Sequence, residues 1–252
     1  MNARISKANG TINQIMFILE DIYFGRYFFQ VAIILCNSMF INSILFNSEA
    51  WNSISYNDLN ELEKADKKLL RRILECPESN PKEMIYLELA CLPIGFIIMA
   101  RRTMFLQYIV KQDSDSWIHR VFQAQMNKPT NQDWCQVAKE IIRELGLNLT
   151  LDRIKVMKEE DLKENVKKAC EKKALEFLNK KKEGHSNVLH LSHPKWEQQP
   201  YLKPNQMLSI DEAKFIFLLR TRMLDIKPTI ETSIVMLFVQ SANQLMMSKL
   251  TY

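Results

Sequence analysis

Glycine is scarce in this chain, with five in 252 residues and no two of them close together. No Gly-rich loop that cradles phosphate is present, and neither a G-x-S-x-G elbow nor an H-E-x-x-H motif occurs. The five cysteines, at 36, 76, 91, 135 and 170, include no C-x-x-C spacing and are odd in number. A disulfide framework is therefore not expected, and a reducing intracellular setting, nuclear or cytoplasmic, is the simpler one. The opening "MNARISKANGTINQ" has no apolar core, so no secretory signal is expected. Strand-like alternation never persists beyond a few residues. What remains is rich in Leu, Ala, Glu, Lys, Met and Gln, which predicts an all-α fold. The formal charge of +5 is compatible with a nucleic-acid partner without demanding one.

The longest uncharged stretch in the first half is "FFQVAIILCNSMFINSILF", residues 28–46. Its nineteen residues would reach across a bilayer if helical. On a helical wheel, however, Gln30, Asn37, Ser38 and Asn42 share one arc of about 140°. A lipid-facing helix has no use for such a stripe. The pattern predicts a core helix with one seam turned to polar neighbours, so a membrane role is not expected here. The second uncharged stretch, residues 232–247, admits an anchor, although a docked helix is the preferred expectation.

Helix signals recur along the chain. A first helix is expected from Ser6 to Phe24, stopped by Gly25, and the core helix follows to Leu45. Ser55 with Asp58 forms an aspartate version of a capping box, and Leu59, Leu62, Leu69, Leu70 and Ile73 then keep the 3.6-residue period up to Pro77. Asn80 is expected to cap a short helix with Pro81 in its first turn. Pro93 opens a helix that is apolar on nearly all sides, which implies neighbours all round. From Asp113 the character changes: short helices around Trp117 and Trp134 flank the loop "NKPTNQ". A charged helix runs from Glu159 to Lys182, followed by a loop-rich stretch and a final capping box at Ser209 and Glu212.

Among residues that carry chemistry, His185, His190 and His193 with Cys170 fit no common zinc spacing, so no metal and no cofactor is expected. Lys64, Lys67, Lys68, Arg71 and Arg72 share an arc of about 140° opposite the leucine stripe. Five cations on one face could meet successive phosphates; the plainer alternative is a solvated helix face. Asp66 falls on the apolar side of that helix, and Arg101 and Arg102 interrupt the apolar helix after Pro93. Unpartnered buried charge is costly, so Asp66, Glu63 or Glu88 is expected to pair with one of these arginines. Arg220 and Arg222, near a helix end, could also receive a phosphate.

The stretches "NSEAW", "LEKADKKLLRRIL", "MIYLELACLPI" and "ARRTMFLQYI" resemble the region downstream of the polymerase site in non-LTR retrotransposon reverse transcriptases. The likeness is to the Dong-type lineage that carries a restriction-like endonuclease. "FQAQMNKPTNQDW", "QQPYLKP" and "FIFLLRTRMLDIK" continue it in order, over residues 4–228. The resemblance implies an irregular, thumb-like helical bundle over residues 1–112 and a helical connector over 113–182. A loop-rich linker at 183–208, a terminal helix at 209–227 and an atypical tail at 228–252 would follow. It also implies contact with the backbone of an RNA or DNA duplex, with no small-molecule substrate.

The chain departs from the family pattern in several places. No pair of adjacent aspartates occurs, and no cysteine follows Cys170 to form the expected zinc knuckle. Cys36 stands where arginine is expected, and Ala90 where glycine is expected. The expectation is thus a non-catalytic fragment of a polymerase–endonuclease polyprotein. The alternative is a helical protein-interaction or structural module with no nucleic-acid role.

Overall fold

The computed structural model of this chain describes residues 2–22, 25–51, 54–127, 133–204 and 208–223. Among these the fold is all-α, with no strand. The tail from residue 224, Phe24 and most of the "NKPTNQ" stretch lie outside the described residues.

Helix α1 spans Asn2–Asp21. Gly25 is not a left-handed cap; its amide bonds to the Ile22 carbonyl at 2.8 Å, and a Cβ would stand 3.1 Å from that oxygen. Close approach rather than backbone hand is what the position requires. Helix α2, Phe28–Ile44, contains a π-helical segment at Cys36–Ile41. Phe28, Phe29, Ala32, Phe40 and Ile44 are buried. Its polar seam finds polar partners: Gln30 donates to Gln198 and to the Leu202 carbonyl, and Asn42 accepts from Arg101.

Helix α3, Tyr56–Leu74, begins as its sequence signal predicts. The Asp58 amide donates to Ser55 Oγ at 3.1 Å, and the helix closes at Glu75 in the left-handed region. Helix α4, Lys82–Leu89, follows Pro81. Asn80 does not cap it: the residue is buried and its side-chain amide donates to Thr221 Oγ1 at 2.9 Å. Tertiary packing has captured the side chain that local spacing assigned to a cap. Ala90, just past α4, has φ +53°, a conformation that glycine adopts without strain.

Helix α5 is Ile94–Lys111, α6 Trp117–Asn127, α7 Trp134–Glu144, α8 Leu151–Val156 and α9 Glu159–Lys182. Helix α10, Ile210–Arg220, carries the full capping box between Ser209 and Glu212. Among the described residues two large apolar cores result, beside a small cluster of Met84, Val188 and Leu191. The first is built from α1 to α4, the start of α5, Leu178 of α9, Leu202, and Ile210, Ala213 and Phe217 of α10. The second joins Leu106, Ile109 and Val110 of α5 to α6, α7, α8 and the first half of α9. Helices α5 and α9 therefore pass through both.

Among the described residues no single helix is long and apolar enough to cross a membrane. The pair α4 and α5 reaches that length together, but bends by 54° at its break.

Candidate nucleic-acid interface

The amphipathic pattern of α3 decides where its cations go. Leu62, Leu69, Leu70 and Ile73 are buried in the first core, which turns the basic arc toward an open groove. The groove has a volume of about 1130 Å³, and Lys64, Lys67, Lys68, Arg71 and Arg72 all line it. Lys82 of α4 and His185 complete the basic lining. Six Lys and Arg side chains thus face three glutamates, Glu75, Glu78 and Glu83.

Three of the six cations, Lys68, Arg71 and Arg72, have neutral partners. Lys68 donates to Asn9 Oδ1 at 3.0 Å and Arg72 to Asn13 Oδ1 at 2.9 Å, both on α1. Arg71 donates to the carbonyls of Glu78 and Asn80. An amide or carbonyl oxygen positions a cation without cancelling its charge, so the field of the groove survives these bonds. Lys64 has a close carboxylate, Glu61 Oε1 at 2.6 Å, but both side chains are about half exposed and solvent screens such a pair. Glu75 is engaged at 2.6 Å by Lys214 of α10, which draws one groove carboxylate toward another cation.

Lys67 stands apart because it is buried, while Lys64, Lys68 and Arg72 are exposed. Its nearest carboxylate oxygen is Glu63 Oε2 at 4.0 Å, and Lys82 shares that same oxygen at 3.9 Å. Burial, then the charges of Lys82 and Arg71, pull the Lys67 ammonium below its usual pKa.

The expected pairing of Asp66, Glu63 or Glu88 with Arg101 or Arg102 does not occur. Arg101 donates to the Leu45 carbonyl at 2.7 Å and to Asn42 Oδ1 at 2.6 Å, and Arg102 to the Trp51 carbonyl at 2.8 Å. The orphan carbonyls at the end of α2 carry enough negative charge to hold a guanidinium, and Arg4 uses the same end through the Ile44 and Phe46 carbonyls. Burial lowers the pKa of both Arg101 and Arg102.

The three carboxylates find other partners. Glu63 serves Lys67 and Lys82. Asp66 accepts from the Tyr86 hydroxyl at 2.8 Å. Glu88, fully buried, meets His193 Nε2 at 2.9 Å, the Tyr201 hydroxyl at 2.6 Å and Arg220 Nη2 at 3.1 Å. Arg220, which local position offered to a phosphate, is thus committed to a carboxylate inside the protein.

Sequence reasoning missed Lys82 and His185, which no periodicity links to α3, and the four-residue cluster around Glu88. The histidines weighed as metal ligands are dispersed: His185 faces Glu83, His193 faces Glu88, and the Cys170 thiol points to the Phe96 carbonyl. Among the described residues no group of three or more His, Cys, Asp or Glu could hold a metal ion.

No family model, no curated protein and no solved structure matches this chain.

Proposed function

We propose that this chain grips the phosphate backbone of a nucleic-acid duplex through the groove along α3, and that it is the thumb and connector of a non-LTR retrotransposon reverse transcriptase. In this reading it holds the duplex and performs no chemistry itself. The observation that carries it is the groove: six cations from two helices converge on one hollow, and Lys68, Arg71 and Arg72 are held by neutral oxygens that leave their charge available. Backbone contact of this kind is electrostatic and indifferent to base sequence.

Two departures from the family pattern support the lineage. Ala90, where glycine is expected, adopts φ +53°. Cys36, where arginine is expected, lies close enough to Asp66 to feel its charge, and Asp66 has no cation within ion-pair distance among the described residues. In this reading a glycine at position 90 would relax the backbone and an arginine at position 36 would answer Asp66.

The test is binding of the full chain to an RNA–DNA duplex by fluorescence anisotropy across a salt series. Replacing Lys64, Lys68 and Arg72 together by glutamine is expected to weaken binding by roughly ten- to a hundredfold and to flatten the log–log salt slope by about two to three. Stability should move by under about 0.5 kcal/mol, because these side chains are exposed. Absence of binding by the unaltered chain, or an unchanged slope in the variant, refutes the proposal.

A further inference from the structure

The groove is not uniform along its length. Its outer part, Lys64, Lys68 and Arg72, consists of exposed side chains steadied by Glu61, Asn9 and Asn13. Its inner part gathers Lys67, Arg71, Lys82 and His185. Here a lysine about nine-tenths buried lines the hollow, and among the described residues no carboxylate comes closer to it than 4.0 Å. A second ammonium, Lys82, depends on the same distant oxygen. The Arg71 guanidinium spends one nitrogen on two carbonyls, and its buried Nε has no partner among the described residues. His185 stands beside them with its Nε2 at 3.4 Å from Glu83.

A buried ammonium normally acquires a close carboxylate or gives up its proton. Two ammonium groups leaning on one carboxylate at long range, with a guanidinium alongside, form a cluster whose own anions do not complete it. We infer that the inner end of the groove seats a single phosphate monoester, the dianion found at a phosphorylated strand end or as free phosphate.

Charge admits the monoester, and the placement of the donors favours it over the diester. The three cations Lys67, Arg71 and Lys82 face two carboxylates, Glu63 and Glu83, and His185 adds a fourth cation when protonated. The surplus is one charge without that proton and two with it, so a group carrying about −1.5 to −2 is matched when His185 is protonated. Three acceptor oxygens on one phosphorus also suit donors that converge from α3, α4 and the segment after α9, whereas the outer ridge presents its donors in a line.

The inference rests on the groove being a polyanion surface, so two arms separate the readings. In the first, the full chain is titrated with two RNA–DNA duplexes that differ only in a 5′-phosphate or 5′-hydroxyl. The phosphorylated duplex is expected to bind about tenfold more tightly, the worth of one charge-assisted contact. Lys82→Gln should erase that ratio; as Lys82 also lines the groove, the hydroxyl duplex should weaken too, but by less than the phosphorylated one. The Lys64, Lys68 and Arg72 glutamine variant should weaken both duplexes and keep the ratio.

In the second arm, inorganic phosphate is titrated against chloride at matched ionic strength. Phosphate should raise the unfolding temperature in a saturable way, and Lys82→Gln should abolish the rise. Lys82 is chosen because it is half-exposed and its loss does not empty the core. Saturable phosphate binding without duplex binding would sustain the seat and refute the grip. Duplex binding with equal affinity for the two ends, and no phosphate effect, would overturn the seat alone.

Discussion

Two carboxylates lie buried in the same core, each accepting a hydrogen bond from a tyrosine, yet their pKa values shift in opposite directions. Glu88 takes the Tyr201 hydroxyl at 2.6 Å, and also His193 and Arg220. Burial pushes its pKa up, but the histidine, the guanidinium and the tyrosine outweigh it, and the group ends below its usual value. Asp66 takes the Tyr86 hydroxyl at 2.8 Å and little else. Burial again pushes upward and Glu63 adds to it; Tyr86 and the more distant Lys67 do not compensate, and the pKa rises to about 7. One tyrosine per carboxylate is not enough to hold a buried charge; a cation within ion-pair distance is. The groove extends the lesson: its inner lysines have the cations and lack the close anion.

The largest effect should come from breaking the satisfied site. Glu88→Gln leaves Arg220 without its carboxylate, and chemical denaturation near neutral pH should show a loss of about 3–5 kcal/mol. Because the folded pKa of Glu88 is depressed, its contribution is present above the ordinary carboxylate value and lost as pH falls through the folded value. The variant should therefore lose less stability than the parent on acidification below about pH 4.5.

Asp66 should behave with the opposite sign. Its pKa rises on folding from 3.8 to about 7, so the folded state holds a proton that the unfolded state has released. The contribution of Asp66 is greatest below 3.8 and falls by about 1.4 kcal/mol per pH unit until the folded pKa is passed, by roughly 4 kcal/mol in all at pH 8. Asp66→Asn keeps an acceptor for Tyr86 and should be more stable than the parent at pH 8, with no slope in that window. A parent whose denaturation midpoint is level between pH 4 and pH 8 would contradict this account.

The smallest effect separates backbone strain from charge. Ala90 ends the helix that carries Glu88 and sits at φ +53°. Ala90→Gly removes the Cβ clash at little cost, since the position is already outside the helix, and should raise stability by about 1 kcal/mol in thermal unfolding. A loss of stability would show that Ala90 is held by packing rather than tolerated there.

Much of the fold was legible locally. Ser55 and Ser209 cap their helices as their spacing implies, and α9 begins and ends at Glu159 and Lys182. The seam of Gln30 and Asn42 on α2 meets polar partners. Asn80 went astray because a buried Thr221, distant in the chain, competed for its amide. The arginine pairings went astray because the ends of helices offer carbonyl oxygens that a residue list does not display. Of the groove, the five cations of α3 could be read from one wheel, whereas Lys82 and His185 could not.

Periodicity, caps and composition by themselves determined that this chain is helical, which face of each helix is apolar, and that α3 carries a basic arc. Those properties depend on residues three and four apart. Only the tertiary structure decided which charges are answered. Arg220 reaches Glu88 across 132 positions, and Lys82 shares Glu63 with Lys67 from another helix. The strength of a charge depends on distance and burial, and neither is fixed until the helices have packed.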